Sequence, residues 1–453
     1  MILGTYFVAR RVRVGLISIM FAAAGMPLTA QPQRKSPAKP PAKSASQPQE
    51  DPLAPLMQQA NDAIDKKDFA AALEPLQRYI AQKPDDPVAH FQLGYAYAGL
   101  KRWEEAQAEF LRAIAQDPKM TPAHLNLGLV LMDSEPGAAA EAFRHAAELQ
   151  PAESRPRFLA GFALEHAGKF TEAIEQYRGA LALSPRDYEC HFALGRVLLR
   201  TGNATDAEVH FREAVAARGD SAPARLGLAQ ALLTQKKYES GTDALAEYLK
   251  LNPGDRAERL DHASVLLEID RYDDALAELD RTEAGSAPTA EGLKMRGNIY
   301  LHQQKWKASS EALTQAISLL PQDPELLEWL GHVEMELRDY PTAIKFLGRA
   351  YANHPQSVDA LRDLASAFFL NEDYAAAIGA MDRLARMEPP KPISWFIRAT
   401  CYDKLSRKAE AIDAYQKFLD QGNGENDTQH FLARHRILIL QSELRQSPQK
   451  QKH

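Results

Sequence analysis

The stretch from Val88 to Pro118, VAHFQLGYAYAGLKRWEEAQAEFLRAIAQDP, reads as two helices joined by a short polar turn. It keeps Gly94 in the middle of the first helix and Ala106 in the middle of the second, and it closes on Pro118. Glycine inside a helix costs about 1 kcal/mol relative to alanine, so a glycine placed there must be permitting something. The pattern returns every 34 residues. With Pro87 as position 1 of a repeat, position 8 reads Ala60, Gly94, Gly128, Gly161, Gly195, Ala229, Ala263, Gly297, Gly331, Ala365 and Ala399. Position 20 reads Ala72, Ala106, Ala139, Ala173, Ala207, Gly241, Ala275, Ser309, Ala343, Ala377 and Ala411. The register slips once, by one residue missing from the turn MDSEPG at 132–137.

Small residues at these two places are what two helices need where they cross, because a side chain larger than methyl holds the backbones apart. Bulky residues beside the crossing, such as Leu93, Tyr97 and Phe110, or Leu194, Leu198 and Phe211, fill the remaining space. Position 27 (Ala113, Ala146, Ala180, Ala214, Ala316, Ala350) lets the first helix of the next repeat approach. Position 32 is proline in eight repeats, from Pro84 to Pro389, and proline cannot continue a helix. Gly219 and Asn423 end other units. Aromatic residues at position 17, among them Phe69, Trp103, Phe170 and Tyr238, open the second helix.

With these landmarks agreeing in unit after unit, residues 53–425 resemble the tetratricopeptide repeat family. Eleven units run from 53–86 to 392–425, each of 34 residues except 121–153. The resemblance implies an all-α fold, a right-handed superhelical solenoid of about eleven helix-turn-helix units with a concave groove. It also implies protein or peptide binding, with no catalytic residue in the repeats. Two departures stand out. Pro75 falls inside the second helix of the first unit, where a kink or fraying is expected. Lys408 replaces the position-17 aromatic in the last unit. Residues 426–444 read as a capping helix with Thr428 as its N-cap and an apolar face of Phe431, Leu432, Ile437, Leu438 and Leu444. The tail, 445–453, is polar.

The N-terminus reads as an address. Residues 1–30 place Arg10, Arg11 and Arg13 before an apolar stretch from Val14 to Ala24, with small residues near Ala30. That is the layout of a secretory signal, and the apolar run is short of the ~20 residues a spanning helix wants. Two outcomes stay open: a cleaved signal, or an uncleaved anchor tethering the chain to the inner membrane. Residues 31–52 are rich in Pro, Ala and Lys with no aromatic or β-branched residue, the composition of a disordered linker. An exported protein of the bacterial cell envelope or periplasm is the expectation.

The first 49 residues hold seven cations and no acid, so the rest of the chain carries −13 against −6 for the whole. An acidic body is a poor phosphate binder, which argues against nucleic acid as a partner. Cys190 and Cys401 are 211 residues apart and read as free, buried thiols with no disulfide or metal-ligand spacing. No phosphate loop, nucleophile elbow or paired-histidine zinc motif is present, and His430 and His435 are five apart, off a shared helix face. Outside the repeats lie 52 N-terminal and 28 C-terminal residues, too few for an enzyme domain. No cofactor and no metal are expected.

By the same resemblance, first-helix positions 2, 5, 9, 12 and 13 face the groove. In units two to five this gives Phe91, Tyr95, Leu125, Leu129, Met132, Phe158, Phe162, Phe192 and Leu199, edged by Arg155, Arg196 and Arg200. In units eight to ten it gives polar residues of mixed charge, among them Lys294, Glu328, His332 and Arg362. Two readings stand for the front set: a partner site in which the arginines meet acidic groups, or packing between neighbouring units. The expected function is a non-catalytic protein-interaction scaffold. The alternatives are an accessory subunit of an envelope enzyme or assembly machinery, and an RNA-binding helical repeat.

Overall fold

The computed structural model describes residues 52–421 and 427–446. The signal and linker segments expected over 1–51, the terminator Asn423 and the last seven residues lie outside this span. The described residues form 23 helices and no strand. They fall into two compact units divided between Asn252 and Pro253, where the sequence reads as one uninterrupted array.

The first unit holds α1 (Ala54–Asp65), α2 (Phe69–Ile80), α3 (Pro87–Gly99), α4 (Trp103–Gln116), α5 (Thr121–Leu131) and α6 (Pro136–Leu149). It continues with α7 (Ser154–His166), α8 (Phe170–Leu183), α9 (Tyr188–Arg200), α10 (Ala204–Ala217), α11 (Ala222–Thr234) and α12 (Tyr238–Leu251). The second unit holds α13 (Arg256–Glu268), α14 (Tyr272–Glu283), α15 (Ala290–His302), α16 (Trp306–Leu319), α17 (Pro324–Glu336) and α18 (Tyr340–Asn353). It ends with α19 (Val358–Leu370), α20 (Tyr374–Leu384), α21 (Pro392–Lys404), α22 (Lys408–Gln421) and α23 (Asp427–Gln446). Within each unit, an odd-numbered helix pairs with the next to form a hairpin, and the second helix of that hairpin packs on the first of the following one.

Local chemistry explains the boundaries. Asp86, Asp187, Ser221, Asp255, Asp323 and Ser357 precede first helices, and their side chains accept the free N–H groups of the opening turn. The position-17 aromatics are the first residues of α2, α4, α8, α12, α14, α16, α18 and α20. Inside ten of the eleven hairpins the residue at position 15 turns left-handed: Lys67, Lys101, Gly168, Gly202, Lys236, Asp270, Gln304, Arg338, Glu372 and Ser406. The third hairpin has no such residue. The one-residue slip in its turn therefore removed the left-handed position itself.

The glycine question is answered by the space around position 8. A Cβ on Gly94 would lie 2.8 Å from the Phe110 ring, one on Gly128 2.7 Å from Phe143, and one on Gly161 2.8 Å from Tyr177. What the glycine admits is the position-24 side chain of its own hairpin, an aromatic ring in these units, and even a methyl is too large. Phe110, Phe143, Tyr177 and Phe211 are accordingly buried. At Ala60, Ala229 and Ala263 the buried partners are the slimmer Leu76, Leu245 and Leu279, whereas Gly297 and Gly331 face Leu313 and Leu347, and Ala399 shares its hairpin with the buried Tyr415. Position 20 is fully buried throughout, and at Ser309 the hydroxyl donates to the Gly297 carbonyl at 2.8 Å. Burying a polar group without a partner is costly, so this bond is what makes serine acceptable there.

Pro75 is buried within α2, which continues past it and at 12 residues is two shorter than α4. Two expectations at the terminal helix are corrected. Thr428 lies inside α23, not at its cap, and that helix runs on through residues assigned to the tail. The buried face of α23 is His430, Ala433, Ile437 and Leu440, while Phe431, Leu432, Leu438 and Leu444 point outward. Lys408, the odd first residue of α22, reaches Glu443 of α23 at 2.9 Å, which accounts for its replacing an aromatic at the last hairpin. Cys190 and Cys401 are free and buried.

Candidate functional site

The twelve residues singled out in the front repeats, on or at the end of α3, α5, α7 and α9, all belong to the first unit. Phe91, Tyr95, Leu125, Leu129, Phe158, Phe162 and Phe192 are half-buried and rest on one continuous apolar core. Met132, expected beside them, is buried in that core. Each position-5 ring packs inward on the position-24 ring of its hairpin: Phe91 on Phe110 at 5.8 Å, Phe158 on Tyr177 at 5.8 Å, Phe192 on Phe211 at 6.0 Å. The packing reading therefore holds for one edge of these rings. The outer edge stays open, because a half-buried ring fixed from below presents its free side without loss of rotamer entropy on binding.

Neighbouring rings join along each helix. Phe91 stacks on Tyr95 at 6.4 Å and Phe158 on Phe162 at 6.4 Å, while Phe162 meets His166 at 4.6 Å. Tyr95 also meets Phe69, which opens α2, edge-on at 5.9 Å. The structure thus brings Phe91 to Tyr95 and Phe158 to Phe162.

The three arginines divide. Arg196 donates to Glu165 Oε2 at 2.8 Å, and Glu165, nearly buried, also accepts the Tyr177 hydroxyl at 3.1 Å. Burial first, and the neighbouring Glu165 charge next, push the Tyr177 hydroxyl well above its usual range, so it stays a neutral donor. Arg196, named with the other two as a partner-binding cation, is thus paired within the protein. Arg155 and Arg200 are exposed and have no acidic partner among the described residues. Arg155 lies over the Phe158 ring at 5.6 Å and Arg200 over Phe170 at 4.5 Å, geometries in which the ring positions the guanidinium while leaving its N–H edge free.

In the second unit the corresponding residues engage one another. Lys294 pairs with Glu325 and Asp323, Glu328 accepts from Ser357 at 3.0 Å, and His332 contacts Asp363 at 3.2 Å. Arg362 bonds Glu388 at 2.9 Å and also Asp359. The hydrogen bond to Asp363 holds His332 above its ordinary pKa, while burial lifts Glu328 above its own. Self-satisfied pairs of this kind offer a ligand little, since binding must first break them.

One recurrent feature escaped the sequence. Position 4 carries His90, His124, His191, Arg225 and Arg259, and each reaches the carbonyl six residues back. The distances are 2.7 Å to Pro84, 3.0 Å to Pro118, 3.0 Å to Pro185, 2.8 Å to Gly219 and 2.8 Å to Pro253. These bonds clamp the turn between repeats. The same side chains reach position 23 behind them: His90 to Glu109 at 2.6 Å and Arg259 to Glu278 at 2.5 Å. From the eighth repeat Leu293, Leu327 and Leu361 take the place and are simply buried. The i−6 spacing to proline is present in the sequence and could have flagged the clamp.

Among the described residues no group of three or more His, Cys, Asp or Glu is placed to hold a metal ion. No helix among them is long and apolar enough to cross a membrane.

A family profile described as Tetratricopeptide repeat matches residues 192–256, 260–324, 330–392 and 371–426. A second profile of that description matches 63–128, and one described as TPR repeat matches 166–202. The DnaJ homolog subfamily C member 7 homolog of Schizosaccharomyces pombe is 26% identical over 111 residues, 24% of this chain. The chain spans 23% of the length of that relative. Yeast Tom70 is 12% identical, with 88% of this chain and 99% of that chain covered, at a TM-score of 0.32. YrrB, described as a TPR protein with an unusual peptide-binding site, is 17% identical over 44% of this chain and 100% of its own, at 0.37. MamA of Desulfovibrio magneticus RS-1 is 21% identical over 37% and 96%, at 0.35. Similarities this low in score carry no argument beyond themselves, but the first profile alone spans half of the chain. The chain belongs to the tetratricopeptide repeat family.

Proposed function

We propose that the chain is a non-catalytic scaffold that holds a partner peptide or protein segment against the first helices of units two to five. The observation that carries this is the contrast between the two sets of groove-position residues. Those of the first unit offer half-buried rings beside two uncommitted cations, Arg155 and Arg200. In the second unit Lys294, His332 and Arg362 are closed into internal pairs. Rings that are fixed from below and cations that are already positioned bind with little ordering cost, and guanidinium groups favour carboxylates through paired N–H donors. The fitting segment carries aromatic or leucine side chains next to acidic residues. The basic, apolar character of residues 1–30 supports a site of action in the bacterial envelope, with the scaffold released or held by that segment. An accessory role in an envelope enzyme or assembly machinery uses the same surface.

The test is binding of fluorescein-labelled peptides of that composition to the full chain, read by anisotropy. Arg155→Glu with Arg200→Glu should weaken binding at least about tenfold, since each charged hydrogen bond is worth roughly 1.5–3 kcal/mol. Lys119→Glu with Arg186→Glu makes the same charge change in the loops between repeats and should leave affinity unchanged. Equal losses in the two variants would reduce the site to general electrostatics.

A further inference from the structure

α23 packs on α22 through His430, Ala433, Ile437 and Leu440. Its opposite side carries Phe431, Leu432 and Leu438, at 69%, 50% and 66% exposure. Side chains three, four and seven apart share a helix face, so Phe431 and Leu438 continue one another, with His435 between them stacked on Phe431 at 6.2 Å. Large apolar side chains this open on successive turns form a patch, unlike exposed leucines scattered singly. Beside the ridge, Arg434 and Arg445 are exposed and have no acidic partner among the described residues, while Asp427 opens the helix four residues before Phe431. Glu443 is turned aside to Lys408. From Phe431 onward the outward face is thus apolar and cationic, and the sequence beyond it adds Lys450 and Lys452 with no acid.

We propose that this ridge is an interfacial anchor that lies on an anionic lipid surface. Phe431 and Leu438 enter the acyl boundary, and Arg434 and Arg445 meet the headgroup phosphates. One apolar helix face edged by arginines is the arrangement that seats a helix in the plane of a bilayer surface. The charge pattern disfavours a second copy of the chain. Laying two ridges together in either direction sets Arg434 of one helix beside Arg434 or His435 of the other. A ridge on a convex helix also needs a matching hollow in a protein partner, whereas fluid lipid closes around it. The acidic charge of the rest of the chain acts weakly at this site, because exposed charges more than about 10 Å away are screened at 0.1 M salt.

A local probe tests this even if the N-terminal apolar segment itself draws the chain to lipid. Leu438→Cys is labelled with nitrobenzoxadiazole on the full chain. The native Cys190 and Cys401 are buried, with thiols pushed up to about 12 and about 11, so the new cysteine takes the dye. Emission should rise severalfold on phosphatidylglycerol-containing vesicles, stay flat on pure phosphatidylcholine, and fall with added salt. Arg434→Glu with Arg445→Glu, both on exposed positions, should abolish the rise while the helical circular dichroism is unchanged. The same dye on Glu213→Cys, an exposed site of α10, should not respond. A flat signal on anionic vesicles, an equal rise at position 213, or a rise on concentrating the protein without lipid overturns the proposal. So does a rise with polyglutamate but not with vesicles, which would assign the ridge to an acidic protein.

Discussion

Replacing Gly94 by alanine separates the two forces acting at a repeat crossing. By helix propensity alone the change should stabilise α3 by about 1 kcal/mol. The added Cβ, however, would lie 2.8 and 2.9 Å from two carbons of the Phe110 ring and 3.2 Å from the Ala106 carbonyl oxygen. Phe110 is fully buried and cannot swing clear. Overpacking of this kind costs roughly 1–3 kcal/mol, so the net effect is a destabilisation of up to about 2 kcal/mol. Gly179→Ala in α8 is the control within the same unit, since its Cβ meets nothing nearer than the flexible Arg157 side chain at 3.4 Å. That change should stabilise by about 1 kcal/mol. Urea titrations followed by circular dichroism give both values, and the transition of the first unit should move in opposite directions. Phe110→Leu supplies the partner that accompanies Ala229 and Ala263 in other repeats, so in the double variant the two losses should fall short of their sum by about 1 kcal/mol. If Gly94→Ala stabilises as Gly179→Ala does, or if the two losses simply add, the crossing is not what keeps glycine there.

Further tests reach other parts of the molecule. Burial holds Cys190 and Cys401 far above the usual thiol range, so a thiol reagent at pH 8 should label neither until the protein is denatured; fast native labelling would contradict their placement. Arg259 and Glu278 form an ion pair at 2.5 Å with both side chains under a tenth exposed, so Glu278→Ala should lower the stability of the second unit by about 3–5 kcal/mol in denaturant titration, and a loss below about 1 kcal/mol would show the pair idle. His332 is raised above its ordinary 6.5, first by its hydrogen bond to Asp363. Its folded value exceeds its unfolded one, so the pair stabilises fully below about pH 6.5 and fades as pH rises through the folded value. NMR titration should place His332 above 6.5, and Asp363→Asn should bring it back to 6.5 or lower.

The hairpins were legible because their signals are local and repeated. Prolines, position-17 aromatics and small crossing residues all recur at a fixed interval, and each has its own steric reason. What position 8 faces was less legible. The sequence shows that Gly94 must be small, but only the geometry shows that a Phe110 ring presses on it. The terminal helix misled for a related reason. Apolarity alone chose Phe431, Leu432 and Leu438 for burial, whereas Ala433, 34 residues after Ala399, continues the position-8 series and is the residue that seats the helix. In the candidate site, side-chain type could not distinguish Arg196 from Arg155 and Arg200. The difference lies in Glu165, one repeat earlier, which reaches Arg196 and neither of the others.

The most direct measurement is site-specific photocrosslinking in living cells, with p-benzoylphenylalanine placed at Phe162 or Tyr95 on the proposed face, and at Leu111 or Val209 on exposed outer positions. The account predicts a defined adduct from 162 and 95, absent from 111 and 209, and lost when Arg155 and Arg200 are changed to glutamate. Adducts of equal yield from the outer positions, or adducts from 162 that persist without the two arginines, would contradict it.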